Sequence, residues 1–246
     1  MERIGIDVST HQGNINWEAV KGNIDFAIIR AGYGNNNIDG QAVKNVRGCE
    51  ANNIPYGLYW FSYAYSVEMA IKEAEHLINF IGDSKPSYPL YFDFEYDSEK
   101  YANKNGVTVT KNLLTEMATA FCNTLEKAGY YAGIYANADY IVNHFNSDIF
   151  NKYDLWYAYW SSNCNRSVNM WQYTSSGTVP GISGNVDMNK CYQDYPNIML
   201  NNTLNGFRTD TNTGGNEHIA DAHCCKCSCK KRVEGGCKTC RPVEVK

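Results

Sequence analysis

Asp93 and Glu95 interrupt the apolar run of YPLYFDFEYD, at positions where a packed core would exclude charge. Two residues apart in an extended segment, they point to the same face, with Cα atoms about 6.6 Å apart from the strand rise. Two carboxylates side by side in apolar surroundings are costly, and their titrations couple so that one keeps its proton near neutral pH. Hydrolysis of a glycosidic bond uses such a pair: one acid protonates the leaving oxygen, and the other faces the developing oxocarbenium carbon. Asp7 repeats the theme at the end of the run RIGIDV, and Asp187 does so in GNVDMN, near a last strand. If these strands end on one rim of a barrel, four acids from three strand ends form an acidic hole with few bases nearby.

The elements that must position them are strand-like runs separated by helical stretches. Arg3–Val8, Ile24–Arg30, Pro55–Phe61, Tyr88–Glu95, Tyr130–Tyr135, Leu155–Trp160 and Asn169–Thr174 read as strands. Their near-continuous apolar character suits a mostly parallel sheet covered on both faces. Val67–Ile81 is the clearest helix: Ala70, Ile71, Ala74, Leu77, Ile78 and Ile81 form one stripe, Ser66 caps the start and Gly82 stops it. Asn112–Ala128 is a second helix ending at Gly129, and Gln41–Asn52 and Ala138–Phe145 are shorter ones. The alternation predicts βαβ units, and hence an α/β barrel or a doubly wound sheet. Short loops from Leu155 onward predict that the last part of the barrel lacks full helices.

Composition narrows the function classes. The 246 residues allow one large barrel plus a small appendage, and no run approaches the 18 apolar residues of a membrane span. Nineteen tyrosines and five tryptophans exceed what a core of this size needs, and such rings commonly stack on sugars. Of 22 Lys/Arg and 26 Asp/Glu in all, residues 218–246 hold seven and three, so the main body is acidic and the tail basic. An acidic body argues against a nucleic-acid partner. Met-Glu-Arg-Ile-Gly-Ile-Asp has no signal-peptide core. The expectation is therefore synthesis in the cytoplasm and release through a holin-type lesion, or secretion with a leader absent from this sequence.

The blocks GIDVSTHQGNINW, FAIIRAGYG, IPYGLYWFSYA, YFDFE, GIYAN, LWYAYW and MWQYTSSGTVPGISGNVDMN resemble, in the same order, the glycoside hydrolase family 25 lysozymes. These are the Chalaropsis-type muramidases, which include phage and prophage endolysins. The resemblance spans about residues 3–195. It implies a flattened, irregular TIM-like β/α barrel that acts at the bacterial cell wall on peptidoglycan, without a cofactor for catalysis. The bond cleaved would be the β-1,4 link between N-acetylmuramic acid and N-acetylglucosamine. Carried over by block, Glu95 resembles the general acid. Asp93 resembles the group that stabilises the cationic intermediate, directly or by orienting the substrate acetamido group. Asp7 and Asp187 resemble supporting acids. Among the strand-end aromatics, Tyr33, Tyr59 and Trp171 are the expected sugar contacts. Gln172 would bond a sugar amide or serve the core, and His11 would orient Asp7 or cap a turn. Retention of anomeric configuration follows if the two carboxylates are too close to seat a water between them.

Three rivals share parts of this pattern. A non-catalytic peptidoglycan-binding module would keep the groove, but the acids are intact. A chitinase-like hydrolase would carry a longer Asp-rich strand motif. A zinc-dependent deacetylase would need paired histidines near the acids.

The domain plan is a catalytic barrel over 1–196, a linker over 197–217 and a cysteine-rich basic tail over 218–246. The tail is too short to bury a core, so it needs metal, disulfides or a partner to fold. Cys237-x-x-Cys240 has zinc spacing, and Cys224, Cys225, Cys227 and Cys229 would supply two further thiolates. A structural zinc and docking onto anionic wall polymers are one expectation. A flexible or oxidisable appendage is the other.

Overall fold

In the computed structural model, which describes residues 2–208, the chain opens with β1 (Arg3–Val8), a one-turn α1 (Trp17–Val20), β2 (Phe26–Tyr33) and a two-residue β3 (Asn37–Ile38). Then come α2 (Ala42–Asn52), β4 (Tyr56–Phe61), α3 (Val67–Ile81), β5 (Leu90–Asp93), α4 (Tyr96–Lys104) and α5 (Lys111–Lys127). The last part holds β6 (Ala132–Asn137), a one-turn α6 (Ile149–Lys152), β7 (Asp154–Ala158), β8 (Met170–Gly177), β9 (Val186–Cys191) and α7 (Tyr195–Asn201).

Eight strands close a ring in the order β1-β9-β8-β7-β6-β5-β4-β2, with β1 also pairing β2, and β3 hangs on β2. Within the ring the pairings among β1, β2 and β4 through β8 are parallel, whereas β9 runs antiparallel to both β8 and β1, and the appended β3 runs antiparallel to β2. The ring is the expected α/β barrel, and it departs from eightfold regularity where it was expected to. No α-helix stands between β7 and β8 or between β8 and β9, so the chain returns by loops and one antiparallel strand.

Pleating sorts the strand residues into two cores. Phe26, Ile28, Tyr59, Tyr91, Trp156 and Met170 fill the barrel interior, while Ala27, Ile29, Leu58, Trp60, Phe92 and Ile134 pack outward beneath the helices. This double burial is why the strands read as unbroken apolar runs. Helix α3 follows the sequence reading: Ser66 Oγ accepts the Met69 N–H at 3.3 Å, and Gly82 leaves the helix at φ 55°. The expected helix at Ala138–Phe145 is instead a π-helical turn at Tyr140–His144.

Two boundaries differ from expectation. Strand β5 ends at Asp93, and Glu95 caps the next helix. The stretch expected to begin a linker at 197 folds back as α7 and its sequel, in the same compact unit as the barrel. Its polar sequence hides this because Asn205 bonds backbone: it accepts from Tyr131 N–H at 2.8 Å and donates to the Pro86 and Tyr88 carbonyls. The cysteine-rich tail and its six expected zinc ligands lie outside the described residues.

Candidate active site

The four acids meet. Asp7, Asp93, Glu95 and Asp187 line one cavity of about 210 Å³ at the C-terminal rim of the parallel strands, with Arg30, Tyr59, Tyr135, Trp156 and Gln172 among its other walls. Asp7 and Asp187 are direct partners in the β1–β9 pairing, so the antiparallel return of β9 is what brings the late acid beside the early one. Asp93 stands at the end of β5, between Phe61 of β4 and Tyr135 of β6. Beyond it the backbone stays extended through Glu95 (φ −131°, ψ −175°), which keeps the alternation going and turns both acids inward. Phe94, between them, packs outward with Phe92. The Glu95 N–H donates to Ser98 Oγ at 3.1 Å, which fixes the point where strand becomes helix.

Burial dominates the electrostatics. It raises the pKa of Asp93 well above the carboxylate range, helped by the charges of Glu95 and Asp7 and opposed by Arg30. Glu95 is pushed up to about 7, first by burial and then by the charges of Asp187 and Asp97. Asp7 is raised by burial and by Asp187, even though its Oδ2 accepts from Gln172 Nε2 at 2.9 Å and Asn189 Nδ2 at 2.8 Å. Asp187, less enclosed, is raised by burial. The cluster therefore carries fewer charges than it has carboxyls at neutral pH, and a proton stays within reach of the cavity. Asp93 Oδ1 is buried without a hydrogen-bond partner among the described residues.

Of the other expected contacts, Tyr59 and Gln172 line the cavity and two do not. Tyr33 lies outside that lining, 37% exposed, with its ring edge-on to Tyr63 at 6.4 Å. Trp171 faces the outer core, 4% exposed, its Nε1 donating to the Tyr159 carbonyl at 2.7 Å. The cause is the pleat: on β8, Gln172 points in, so Trp171 points out. His11 lines the cavity from a single 3₁₀ turn, where its backbone N–H donates to Ser9 Oγ.

Sequence reasoning passed over Arg30, Asn189 and Tyr135. Arg30 is held by buried Asp39 through contacts of 2.8 and 2.7 Å, and so presents a fixed cation to the acids. Its signal was the same as theirs, a charge ending an apolar strand run. Asn189 stands two residues beyond Asp187 on the same face, and its Oδ1 accepts from Trp156 Nε1 at 2.7 Å. Among the described residues no group of three His, Cys, Asp or Glu is arranged to hold a metal ion. Nor is any described helix long and apolar enough to cross a membrane.

Known proteins resemble this chain in sequence and fold. YegX of Escherichia coli is 26% identical over 196 residues, covering 75% of this chain and 68% of that protein. Lysozyme M1 of Streptomyces globisporus is 29% identical over 204 residues, covering 76% and 66%. The modular autolysin LytC of Streptococcus pneumoniae, solved with a synthetic peptidoglycan ligand, superposes with a TM-score of 0.69 at 27% identity. That match covers 78% of this chain but 47% of LytC, so the chain spans about half of that protein's length. The sequence pattern of glycosyl hydrolases family 25 matches residues 6–182, from β1 to the loop before β9, and the chain belongs to that family.

Proposed function

We propose that the chain is a lysozyme of the muramidase type, hydrolysing the β-1,4 bond between N-acetylmuramic acid and N-acetylglucosamine in bacterial peptidoglycan. The observation that carries this reading is the convergence of Asp7, Asp93, Glu95 and Asp187 on one rim cavity, with Glu95 held near pKa 7. Glu95 acts as the general acid: its proton passes to the glycosidic oxygen as the C1–O bond breaks, and the glucosamine side leaves as an alcohol. Positive charge then develops on the muramic C1 and ring oxygen. Asp93 stabilises it, directly or by orienting the substrate acetamido group. Glu95, now ionised, takes a proton from water as its oxygen bonds C1, which restores the acid. Retention of configuration is part of the reading. Asp7 and Asp187 support the site by holding the sugar, and the charge of Asp187 helps to keep Glu95 protonated.

Digestion of purified cell walls with identification of the new reducing ends tests the reaction. Muramic acid ends are expected; glucosamine ends, or released acetate, overturn it. Proton NMR of the first-formed product tests retention, and an initial α-anomer counts against it. For the tail of residues 218–246 the proposal is a zinc held by cysteines among Cys224, Cys225, Cys227, Cys229, Cys237 and Cys240, on a basic segment that docks anionic wall polymers. Its support is the CxxC spacing and the excess of Lys and Arg. Metal analysis of the full chain purified without chelator should find one zinc. Less than one, with wall binding unchanged on deleting 218–246, overturns both halves.

A further inference from the structure

Gln172 is 3% exposed, and its amide is engaged on both sides. Its Oε1 accepts from Trp160 Nε1 at 3.0 Å and from Tyr135 Oη at 3.4 Å, while its Nε2 donates to Asp7 Oδ2 at 2.9 Å. An amide has two acceptor lone pairs on oxygen and two donors on nitrogen, and the partners fix which way round it sits. The Trp160 N–H needs an acceptor and the Asp7 carboxylate needs a donor, so one orientation satisfies both. The oxygen then has no lone pair left for a sugar amide.

Trp160 is the unusual partner. It follows the end of β7, is 63% exposed, and still has its indole N–H pinned to a buried side chain. Its ring forms part of a second cavity of about 540 Å³, whose lining also includes Glu95, Tyr96, Tyr135, Asn137 and Asp139. Glu95 and Tyr135 belong to both cavities, so the second one opens from the acid side of the site. A large exposed ring fixed in one pose beside a catalytic acid suits a sugar face, since a pre-set ring loses little freedom when it stacks. On its other side Gln172 reaches Asp7, whose Oδ2 also accepts from Asn189, and Asn189 continues to Trp156. A single chain of hydrogen bonds thus runs from a surface tryptophan, through the acid cluster, to the middle of the barrel.

We propose that Gln172 is a positioning residue that performs two tasks with one amide, fixing Trp160 as a wall of the glycan groove and holding Asp7 in the acid cluster. The proposal rests on the muramidase reading for its substrate, a β-1,4-linked N-acetylated glycan. It accounts for a polar residue inside the barrel without giving it a substrate contact.

Three variants separate the two tasks. Gln172→Met keeps the volume and loses the bonds to Trp160, Tyr135 and Asp7. Gln172→Glu keeps an acceptor for Trp160 and replaces the donor facing Asp7 with a carboxylate. Trp160→Phe keeps an aromatic ring but loses the N–H together with part of the stacking face. With a soluble tetrasaccharide of alternating muramic acid and glucosamine at pH 7, Gln172→Met should raise KM about fivefold and lower kcat about tenfold, the scale of one lost hydrogen bond at each end. Trp160→Phe should raise KM to a similar extent and lower kcat less than Gln172→Met does. Gln172→Glu should bring KM back to within about twofold of wild type while kcat stays about tenfold down. In the substrate-free protein, the emission component lost in Trp160→Phe should shift in Gln172→Met and return in Gln172→Glu.

The proposal is overturned if Gln172→Met and Gln172→Glu behave alike in both KM and kcat, or if the Trp160 emission is the same with Gln, Glu and Met at 172. Should Gln172→Met fail to fold, Gln172→Glu and Trp160→Phe decide: equal KM changes in the two overturn it. A wild-type chain that releases no muramic acid ends from walls sinks the muramidase reading instead. The emission comparison then still decides whether Gln172 fixes Trp160.

Discussion

In the proposed reaction the chemistry turns on Glu95, which combines a raised pKa with a position two residues beyond the strand end. Replacing it by Gln preserves shape and removes the proton, so lysis should fall by the 10²–10⁴-fold that general acids contribute. Circular dichroism should show the fold intact; near-normal lysis by an ordered Glu95→Gln would reassign the acid. The same group sets the pH dependence. With Glu95 at about 7, kcat/KM should decline about tenfold per unit on the alkaline side of that value, because the acid form is being lost. Stability follows the same proton with a definite sign. A carboxyl whose folded pKa is raised binds its proton more tightly in the folded chain. Its contribution is therefore full below the ordinary carboxylate range and lost as pH rises through about 7. Glu95→Gln should then melt higher than wild type at pH 8, by an amount on the order of 1–3 kcal/mol, and the gap should close near pH 4.5. Thermal melts at the two pH values check this, and a gap that widened in acid would reverse the assigned direction.

At the scale of elements, two opposed effects can be weighed at Gly48, inside α2. Helix propensity alone says that Gly→Ala in a helix interior gains about 0.5–1 kcal/mol. Here the added Cβ would stand 2.0 Å from the Trp17 ring, which is itself 6% exposed and held by Asn45. Overpacking of this kind costs about 1–3 kcal/mol, so Gly48→Ala should lower the denaturation midpoint despite its better propensity. A raised midpoint would show that α1 swings away freely. The same contest between local preference and packing explains what could be read from the sequence. Helix α3 was legible to its caps because stripe, Ser66 and Gly82 all agree, and the strands were legible because burial on both faces makes them uniformly apolar. Helix α4 was not, since Tyr96–Lys104 is polar and buries only Ser98 and Ala102. Residue type alone points Trp171 into the groove. The period of two through Met170, Trp171 and Gln172 puts it on the other face, and Tyr33 likewise stays outside the acid cavity.

At the scale of the whole molecule, the barrel is closed at its rim by acids and on its other side by the segment after β9. Asp7 and Asp187 come from the first and last strands, so the site is complete only when the ring is closed through β1, and it reports on closure. The segment 195–208 was hidden in a sequence rich in Asn and Thr, because what holds it is backbone recognition as well as apolar burial. Tyr195 and Met199 enter the inner core beside Tyr88 and Tyr91, and Asn205 ties the chain down with three hydrogen bonds while fully buried. Asn205 also sits at φ 52°, a left-handed conformation that Asn and Gly tolerate. Two substitutions separate its roles. Asn205→Gly keeps the backbone easy and removes the bonds; Asn205→Ala removes the bonds and adds strain. Each leaves the Tyr131 N–H and the Pro86 and Tyr88 carbonyls without their partner, which should cost about 2–4 kcal/mol at about 1 kcal/mol or more per buried bond. Asn205→Ala should lose a further 1 kcal/mol or so from the positive φ. Urea denaturation of the three proteins checks the order wild type, Gly, Ala. If Asn205→Gly matched wild type, apolar burial around Tyr195 and Met199 would hold the segment and the Asn205 side-chain bonds would add nothing to it.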